Sequence, residues 1–536
     1  QEWLAGVLGL LLLGVLLIGN DSVQWQMPRV ALLPLFFVVA LWLQWAAGIG
    51  VLFESACLAS LYLIWASLMM IGTCRLELHF GRDDLANTIA LALLIGALLL
   101  AGTGIAQLLL PGIGLPWIFP YRGVVEGNIA QSNSFAAYLW IGVAAGLHLH
   151  LRSRLAWPMA IAATLPLLSC SLLSGSRSVY FYAAALTLWL IVQARSETTR
   201  APRRRALICA ATLLPALLLL QGLLTVGGAS ISSAQRLASQ GSYDPVRLTL
   251  WRAALEMFIE HPLMGSGFDS YSREFFARIE RFPINGAGIP EHSHNLLTEV
   301  AAEFGLMGLA PLLLMGLMWL YGLFHSRLDA ASRFAIAVLL VIGVHAMLEY
   351  PLWYAHFLAI AAIMFALTDA RRLPIRISGR HRLLAGLLIA TSLLVMLSLR
   401  QDYEDLETAA QGRDANGLAI MPEERRERLL NIYGKTLWRP YAALQFAAQM
   451  PIEDQDLDVR LALMQEASHF SPIRQAVFRE AALLAIAGRT AEAEALLIRA
   501  MASYPSEIPF ALAMFESAAS APALQPLTAM LRQRSF

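Results

Sequence analysis

The chain has 536 residues, of which 58% are hydrophobic and only 14% are charged, and its formal net charge is +1. Soluble globular proteins are typically about 25% charged, so this composition excludes an ordinary soluble domain. The near-neutral charge gives no support to nucleic-acid binding. Apolar stretches of roughly twenty residues recur along the chain, each long enough to cross about 30 Å of hydrocarbon. We therefore predict an all-α polytopic membrane protein embedded in a lipid bilayer.

Twelve apolar segments are predicted to form transmembrane helices. Their approximate bounds are 3–19, 30–47, 51–72, 85–110, 134–150, 157–173, 178–194, 206–225, 295–321, 334–348, 352–368 and 383–399. The first eight fall within residues 1–225 and the last four within 295–400. Between the two sets, residues 226–294 form a large loop with amphipathic helices.

The positions of the arginines indicate how these helices are oriented. Alternate short loops carry 17 arginines, whereas the short loops between them carry two, Arg122 and Arg177. Since arginine-rich loops stay in the cytoplasm, loop 226–294 and the tail 401–536 are predicted to be periplasmic in a Gram-negative inner membrane. Twelve spans with an outside tail also place Gln1 outside, so we expect a further span ahead of it.

The tail 401–536 changes character and has the pattern of short amphipathic helices. Near its end, Gly488 and Arg489 form a turn, Ala493 and Ala500 are small residues on the next helix, and Pro505 follows that helix. This pattern resembles one tetratricopeptide (TPR) unit, and a generic helical hairpin accounts for it equally. Either interpretation predicts a soluble, TPR-like α-helical domain suited to a protein partner.

Five polar segments fall on the predicted periplasmic side of this apolar chain. In order they are VVEGNIAQSNSFAAYL (124–139), SGSRSVYFY (174–182), DPVRLTLWRAALEMFIEHPLMGSGFDSY (244–271), EHSHN (291–295) and EYPLWY (349–354). Convergence of separate segments on one face is what a shared site requires.

Two arginines in these segments are candidate phosphate ligands. Arg177 lies in a tight turn beside Ser176, and a guanidinium is always charged and presents a fixed fork of donors suited to phosphate oxygens. The alternative for Arg177 is that it snorkels to a lipid headgroup. Arg247 follows an Asp-Pro pair near the start of an amphipathic helix. The apolar face of that helix is predicted to include Leu250, Ala254, Leu255 and Phe258.

His292 and His294 are separated by one residue, immediately ahead of an apolar run. Histidine is a common metal ligand, but we find no second His, Cys or Asp cluster with ligand spacing, so no metal is predicted. A histidine at the entry of a membrane helix is suited to act as general base on a hydroxyl; a polar helix cap is the other interpretation. Asn295 is the better cap candidate, with Thr298 and Glu299 in a polar first turn.

Glu349 and Tyr350 precede Pro351, where the chain is expected to turn back into the membrane. Glu349 is suited to orient a histidine or to pair with an arginine. The alternative is that it only marks the membrane interface, together with the belt aromatics Trp353 and Tyr354.

Together these segments resemble the bacterial O-antigen ligase/polymerase superfamily, and most closely its pilin-type O-linked oligosaccharyltransferase branch. The matching stretches are GNIAQSN, SGSRS, RLTLW followed by HPLMGSGFDSY, HSHNLLTEVAAEFGLMG and EYPLWY, in the family's order over about 124–354. Each motif alone is weak, whereas five in order are specific to the superfamily. The soluble tail also suits that branch.

The resemblance implies a glycosyltransferase that needs neither metal nor other cofactor. Its donor would be an undecaprenyl-diphosphate-linked glycan, moved en bloc to a serine or threonine of a pilin or another periplasmic protein. The family's essential histidine maps to His294 and its important arginines to Arg177 and Arg247. His294 would take the acceptor proton, with His292 or Glu349 orienting it. Candidate substrate contacts are Asn128, Gln131, Asn133, Ser176, Asn295 and Tyr350.

Other functions compete with protein glycosylation. An O-antigen ligase would use lipid A core as acceptor, and a glycan polymerase would extend another glycan; a sizeable periplasmic helical tail favours a protein acceptor over a lipid. A lipid-linked glycan transporter belongs to a different class and should show ionisable groups deep within its spans and often inverted repeats. Because the charges cluster at the outer face and no convincing repeat is found, the sequence favours an enzyme.

Overall fold

The computed structural model describes residues 2–18, 24–110, 117–227, 245–284, 288–369, 371–414, 417–518 and 522–534. The helices up to residue 411 are α1 (Glu2–Ile18), α2 (Leu32–Ala46), α3 (Phe53–Phe80), α4 (Arg82–Leu109), α5 (Ser132–Leu151), α6 (Trp157–Leu173), α7 (Ser178–Ser196), α8 (Arg200–Val226), α9 (Pro245–Glu260), α10 (Tyr271–Ala277), α11 (Leu296–Phe324), α12 (Ala330–Ala346), α13 (Ala355–Thr368) and α14 (Gly379–Gln411). Each of the twelve predicted apolar segments overlaps one of these helices. Helices α9 and α10 belong to the loop between α8 and α11, hereafter the outer loop; its part at 228–244 lies outside the described residues.

Seven helices in the described part of the chain are long and apolar enough to cross a membrane, and four shorter apolar helices accompany them. The seven are Arg29–Ala46, Phe53–Phe80, Arg82–Leu109, Ser132–Leu151, Arg200–Val226, Leu296–Phe324 and Gly379–Gln411. The chain is therefore an all-α, multi-pass membrane protein. The count of twelve spans stays a prediction.

Helix α5 lies at the centre of the bundle because it presents apolar or small residues on every face. Phe135 and Trp140 are fully buried, and α5 packs against α4, α6, α7, α8 and α12 within one hydrophobic core. Gly142 permits the closest approach, since a Cβ there would lie 2.2 Å from the Cβ of Ala97 on α4. The first turn of α5 is thereby held rigidly at one end of the bundle.

The opposite end of the bundle carries a structural ion cluster. Glu77 accepts from Arg82 at 2.9 Å and from Arg372 at 2.6 Å. Strand β1 (Trp25–Pro28) pairs antiparallel beside it with strand β2 (Arg372–Ile375). These paired charges allow α3 to continue to Phe80, eight residues past the predicted end of the apolar stretch at residue 72.

The outer loop meets α11 at a break in that helix. Gly305 has φ 59° and ψ −149°, and a Cβ there would lie 2.7 Å from the backbone nitrogen of Gly265. A Cβ at Gly265, which has φ 72°, would lie 2.2 Å from the carbonyl carbon of Glu303. Both positions therefore require glycine. Leu306 N donates to Pro262 O at 2.8 Å across the break, which fixes the outer loop on α11.

Helix α9 packs against α11 through a face that differs in part from the predicted one. Leu250, Ala253, Ala254 and Met257 are buried, at i, i+3, i+4, i+7 spacing. Leu255 was expected on the apolar face and is instead 56% exposed, because the face toward α11 is centred on Ala253 and Ala254.

Residues after α14 form a separate helical domain, hereafter the C-terminal domain. Its helices are α15 (Pro422–Lys435), α16 (Arg439–Gln449), α17 (Leu457–Phe470), α18 (Arg474–Ile486), α19 (Thr490–Ser503), α20 (Ile508–Ser517) and α21 (Gln525–Arg534). Helices α18 and α19 pair across the predicted turn, where Gly488 has φ 77°. Ala493 and Ala500 are fully buried in that pair. This hairpin fits a TPR unit and a generic helical hairpin alike.

Contacts from α10 dock the C-terminal domain on the outer loop, and one further contact reaches Gly50, between α2 and α3. Phe276 of α10 is buried in the domain's hydrophobic core, and the Arg499 guanidinium lies 5.7 Å from its ring centroid. Arg273 Nη1 of α10 lies 3.0 Å from His469 Nε2, and the same ring nitrogen lies 3.1 Å from the carbonyl oxygen of Gly50. The domain is thus anchored to the same loop that carries Arg247.

Candidate active site

Side chains from three separate parts of the chain converge on the carboxylate of Glu349. Arg247 Nη2 and Asn133 Nδ2 each donate to Oε1 at 2.7 Å. His294 Nδ1 donates to Oε2 at 2.7 Å. Arg247 lies at the start of α9, Asn133 in the first turn of α5, and His294 two residues before α11. Glu349 is therefore the centre of a built polar site.

The environment of Glu349 keeps it ionised. Its side chain is only 6% exposed, and such burial by itself favours the neutral carboxyl. The hydrogen bond and charge of His294, with the charge of Arg247, outweigh burial and hold the pKa of Glu349 below its usual range. The carboxylate consequently stays available as an acceptor for the His294 ring.

His294 has the geometry of an oriented base. Its backbone φ of 56° lies in the left-handed region, which non-glycine residues adopt rarely and often at functional sites. With Nδ1–H donated to a carboxylate, the neutral ring carries its lone pair on Nε2. The described residues provide no hydrogen-bond partner to Nε2, and the side chain is 30% exposed. Tyr350 packs edge-on against the ring at 5.3 Å.

Asn295 caps α11 as predicted. Its Oδ1 accepts from the backbone nitrogens of Leu297 at 3.0 Å and Thr298 at 3.2 Å. Its Nδ2 donates to the carbonyl oxygen of Met347 at 3.0 Å, which ties the start of α11 to the turn that carries Glu349. Both ends of the amide are engaged, so the structure gives Asn295 a positioning role; its contact with substrate stays a prediction.

His292 does not orient His294, which corrects one of the two alternatives derived from sequence. Its Nδ1 donates to Glu299 Oε1 at 2.8 Å, while Glu299 Oε2 accepts from the backbone nitrogen of Ser293 at 2.5 Å. The His292 ring packs against Tyr350 at 4.3 Å and Trp353 at 5.2 Å. Burial alone would lower the pKa of His292, but its hydrogen bond and ion pair with Glu299 raise it overall.

The turn between α6 and α7 joins the site through Ser176. Ser176 Oγ donates to Asn133 Oδ1 at 2.7 Å, and Asn133 in turn donates to Glu349. Arg177 follows directly and is the N-terminal boundary of α7. The predicted arginine turn is therefore adjacent to the Glu349 cluster.

The two other amides of the 124–139 segment hold the loop instead of lining the cluster. Asn128 Oδ1 accepts from Phe119 N at 3.1 Å, and its Nδ2 donates to Trp117 O at 2.8 Å. Gln131 caps α5 by accepting from Ser134 N at 2.5 Å. Both side chains thus form bonds that shape the backbone around Asn133, and their contact with substrate stays a prediction.

His345 is a site neighbour that the sequence analysis missed. It lies four residues before Glu349 on α12 and is fully buried, and its backbone carbonyl accepts from Glu349 N at 2.8 Å. Its ring lies 3.2 Å from Tyr182 Oη and 3.4 Å from Ser134 Oγ. The available signal was a histidine inside an apolar helix, one turn ahead of a candidate carboxylate.

No group of three or more His, Cys, Asp and Glu side chains within the described ranges has the arrangement of a metal site. The side chains of the Glu349 cluster offer acid–base and charge-pairing chemistry. It combines a histidine with an available nitrogen, an ionised carboxylate that fixes it, a guanidinium and a serine–asparagine pair.

Comparisons with known proteins bear on both halves of the chain. Residues 162–313 match the family described as O-antigen ligase, and residues 333–515 match the family described as virulence factor membrane-bound polymerase, C-terminal. The first match includes Arg177, Arg247 and His294, and the second includes Glu349. The two families together cover the site residues that follow α5.

A curated relative supports the same grouping. The chain is 25% identical over 361 residues to a general O-oligosaccharyltransferase of Acinetobacter baylyi. That alignment takes in 65% of this chain and 62% of the relative, so the chain spans somewhat less than two thirds of the relative's length.

Proposed function

Because the chain belongs to the O-antigen ligase superfamily and is similar to its protein oligosaccharyltransferase branch, we propose that it glycosylates proteins. The donor is a preassembled oligosaccharide on undecaprenyl diphosphate, and the acceptor is a serine or threonine hydroxyl of a pilin or another periplasmic protein. The reaction takes place at the periplasmic face of the bacterial inner membrane. The observation that carries the proposal is the convergence of Arg247, Asn133 and His294 on Glu349.

The proposed reaction is a single displacement. His294 Nε2 takes the proton of the acceptor hydroxyl, the hydroxyl oxygen bonds to the anomeric carbon, and the bond from that carbon to the diphosphate oxygen breaks. The products are a glycosylated protein, undecaprenyl diphosphate and one proton, which passes from His294 to water. Attack opposite the leaving group inverts the anomeric configuration, which NMR of the product linkage tests.

Two features of the site support this chemistry. Glu349 fixes the His294 tautomer and stabilises the imidazolium that forms, as a carboxylate does in other oriented-base sites. The Arg247 guanidinium on Glu349 and Arg177, next to Ser176 in the chain, suit a diphosphate whose charge grows as it leaves, an effect typically of about 3–4 kcal/mol per donor. The leaving diphosphate needs no proton, so neutralising its charge is the main demand.

Ligation of glycan to lipid A core is the second candidate, and the match of residues 162–313 to the O-antigen ligase family favours it. The C-terminal domain, docked through His469 and Phe276 on the outer loop that also carries Arg247, favours the protein acceptor.

The test is to express the chain with a lipid-linked glycan pathway and a pilin, and to analyse both the pilin and lipopolysaccharide by mass spectrometry. We expect whole-glycan additions on pilin serine or threonine and an unchanged lipopolysaccharide. Glycan found only on lipopolysaccharide would establish the ligase instead, and a lengthened glycan on the carrier lipid would establish a polymerase.

A further inference from the structure

Three buried polar side chains form a cluster in the core of the bundle, one turn of α12 before Glu349. His345 Nδ1 lies 3.2 Å from Tyr182 Oη, and His345 Nε2 lies 3.4 Å from Ser134 Oγ. The exposed fractions of His345, Tyr182 and Ser134 are 0%, 0% and 2%. Because the three side chains come from α12, α7 and α5, the His345 ring forms a bridge between three helices of the bundle.

The His345 bridge is joined to the Glu349 cluster by two short connections. Ser134 follows Asn133 in the first turn of α5, and Asn133 Nδ2 donates to Glu349 Oε1 at 2.7 Å. The backbone carbonyl oxygen of His345 accepts from Glu349 N at 2.8 Å. The same histidine therefore contacts both the residue that carries the carboxylate and the chain neighbour of an amide that binds it.

Tyr182 brings α7 to the same bridge. It lies about one helical turn after Ser178, the first residue of α7, and Arg177 immediately precedes that helix. The Tyr182 ring packs edge-on against His345, with centroids 6.4 Å apart, and against Trp140 of α5 at 6.3 Å. The bridge therefore also fixes the helix that begins directly after the arginine turn.

An imidazole has the chemistry that this bridge requires. A neutral ring carries one N–H donor and one acceptor nitrogen, and a serine or tyrosine hydroxyl can complete either role. Both ring nitrogens of His345 therefore have partners in the core, where an unpaired polar group would be costly. A satisfied buried network of this kind rigidifies its surroundings and specifies one arrangement of the helices.

Helix packing alone does not require these polar groups. Apolar side chains of α5, α7 and α12 already form one hydrophobic core around the bridge, and the Phe357 ring of α13 lies 5.5 Å from the His345 ring. An aromatic hydrocarbon side chain could fill the same space. The hydrogen bonds of His345 are therefore expected to serve the placement of the helices more than their stability.

We propose that His345 is a positioning residue for glycan transfer. By bonding Ser134 on α5 and Tyr182 on α7, it fixes both helices against α12 and thereby the position of the Glu349 carboxylate. A displacement of about 1 Å at such a group can cost about 10²-fold in rate. His345 acts through Glu349 and does not touch substrate. This inference rests on the proposed function, since glycan transfer that depends on Glu349 is presupposed.

The experiment compares variants of His345 with a variant of a second buried histidine. His345→Phe keeps an aromatic ring and removes both hydrogen bonds, whereas His345→Gln places an amide near the position of Nε2 and can retain the contact with Ser134. His148→Phe is the matched control, because His148 is buried at the other end of α5, with its Nε2 3.1 Å from Asn87 Oδ1. For each purified full chain, kcat, the KM for a defined lipid-diphosphate glycan, the KM for a pilin acceptor and the Tm in detergent are measured.

We expect kcat to fall about 10–100-fold in His345→Phe, with both KM values unchanged and a Tm no lower than that of the control. His345→Gln should recover most of this loss, and His148→Phe should keep the kcat of wild type. Unchanged kcat in His345→Phe, or an equal fall in the control, would overturn the proposal. If His345→Phe does not accumulate in the membrane, Ser134→Ala combined with Tyr182→Phe removes the same two contacts and decides in its place.

A double variant distinguishes positioning from a general structural effect. Because His345 acts through Glu349, adding His345→Phe to Glu349→Gln should lower kcat much less than His345→Phe lowers it in wild type. A loss of the same size in both backgrounds would contradict the assignment. If wild type transfers glycan to lipid A core and to no protein, the proposed function fails, and the same variants test His345 with the lipid acceptor. If wild type transfers glycan to neither, both proposals fail.

Discussion

The two histidines of the EHSHN segment form the same kind of hydrogen bond, but they differ in exposure and in the hydrogen-bond network that they join. Each donates Nδ1–H to a glutamate, His292 to Glu299 and His294 to Glu349. The His292 side chain is 12% exposed and the His294 side chain 30%. Glu299 otherwise accepts from the neighbouring backbone at Ser293. Glu349 instead accepts from residues far away in sequence, so the two halves of one short segment belong to different networks.

These different environments indicate a structural role for one histidine and a role in proton transfer for the other. The Glu299 carboxylate raises the pKa of His292, which favours the protonated ring, and a protonated ring cannot accept the hydroxyl proton. Its contacts lock the turn in which His294 adopts a left-handed backbone. The Glu349 network leaves one ring nitrogen of His294 available and adds a guanidinium beside it. We therefore propose that His294 transfers the proton and that His292 positions the turn.

Replacing His294 should have the largest effect. His294→Ala removes the base, and general-base contributions are typically about 10²–10⁴-fold in rate. Glycan transfer in cells, measured by mass spectrometry of the acceptor protein, should fall about 10²–10⁴-fold. The amount of the His294→Ala variant in the membrane should be unchanged. His325→Ala, at the far end of α11, is the matched control and should retain full activity. Retained transfer in His294→Ala would reverse the assignment of the two histidines.

Replacing Glu349 should have the next largest effect. Glu349→Gln keeps the size of the side chain but removes the charge that fixes the His294 ring and pairs with Arg247. We expect kcat to fall about 10²–10³-fold, comparable to the loss of one preorganised electrostatic contact. Glu299→Gln is the parallel change on the other network and should lower kcat by less than tenfold. Equal losses in the two variants would mean that both networks carry the reaction.

The Arg247–Glu349 contact should show coupling. Arg247→Ala should lower kcat by about 10²-fold, because the guanidinium both stabilises the diphosphate and shares the Glu349 carboxylate at 2.7 Å. Residues in one network are not additive, so Arg247→Ala with Glu349→Gln should lose clearly less activity than the product of the single losses. A loss of kcat in the double variant equal to the product of the two single losses would show that the two residues act independently.

The smallest effect is expected for His292→Gln, and it should appear in stability. The folded pKa of His292 lies above its unfolded value of about 6.5, so its ion pair contributes fully below that pH and is lost as pH rises through the folded pKa. We expect a loss of about 1.5–3 kcal/mol, typical of a hydrogen bond to a charged group. The difference in Tm from wild type, measured in detergent, should be largest near pH 6 and shrink in alkali. A difference that grows with pH would contradict this.

Much of the fold was predictable because the length of an apolar segment indicates whether it forms a membrane-spanning helix. All twelve predicted segments overlap helices, since an uninterrupted apolar stretch has few alternatives in a bilayer. Boundaries were less predictable: α14 runs to Gln411, past the predicted end at 399, because an amphipathic helix continues the apolar one. The pairing of β1 with β2 was missed, because two four-residue strands more than 300 residues apart leave no local pattern.

The residues of the site were predictable from the sequence, but the hydrogen-bond partner of each residue was less so. His294, Glu349, Arg247, Asn133 and Ser176 were identified individually, and the hydrogen bonds join them. The pairing of His292 with Glu299 was missed, although Glu299 was noted in the first helical turn, because a carboxylate there is explained equally by the helix dipole. Which amide holds a loop and which enters the site depends on tertiary contacts that spacing does not encode.

Glycan transfer in a purified system tests whether His294 activates a protein hydroxyl. The chain, a defined undecaprenyl-diphosphate oligosaccharide and a peptide with one serine are combined, and glycopeptide and freed undecaprenyl diphosphate are quantified by mass spectrometry. The account predicts intact glycan on the serine, with one lipid diphosphate released per glycopeptide, and loss of both products with His294→Ala. Unmodified peptide while lipid A core accepts the same glycan, or equal glycopeptide from wild type and His294→Ala, would contradict it.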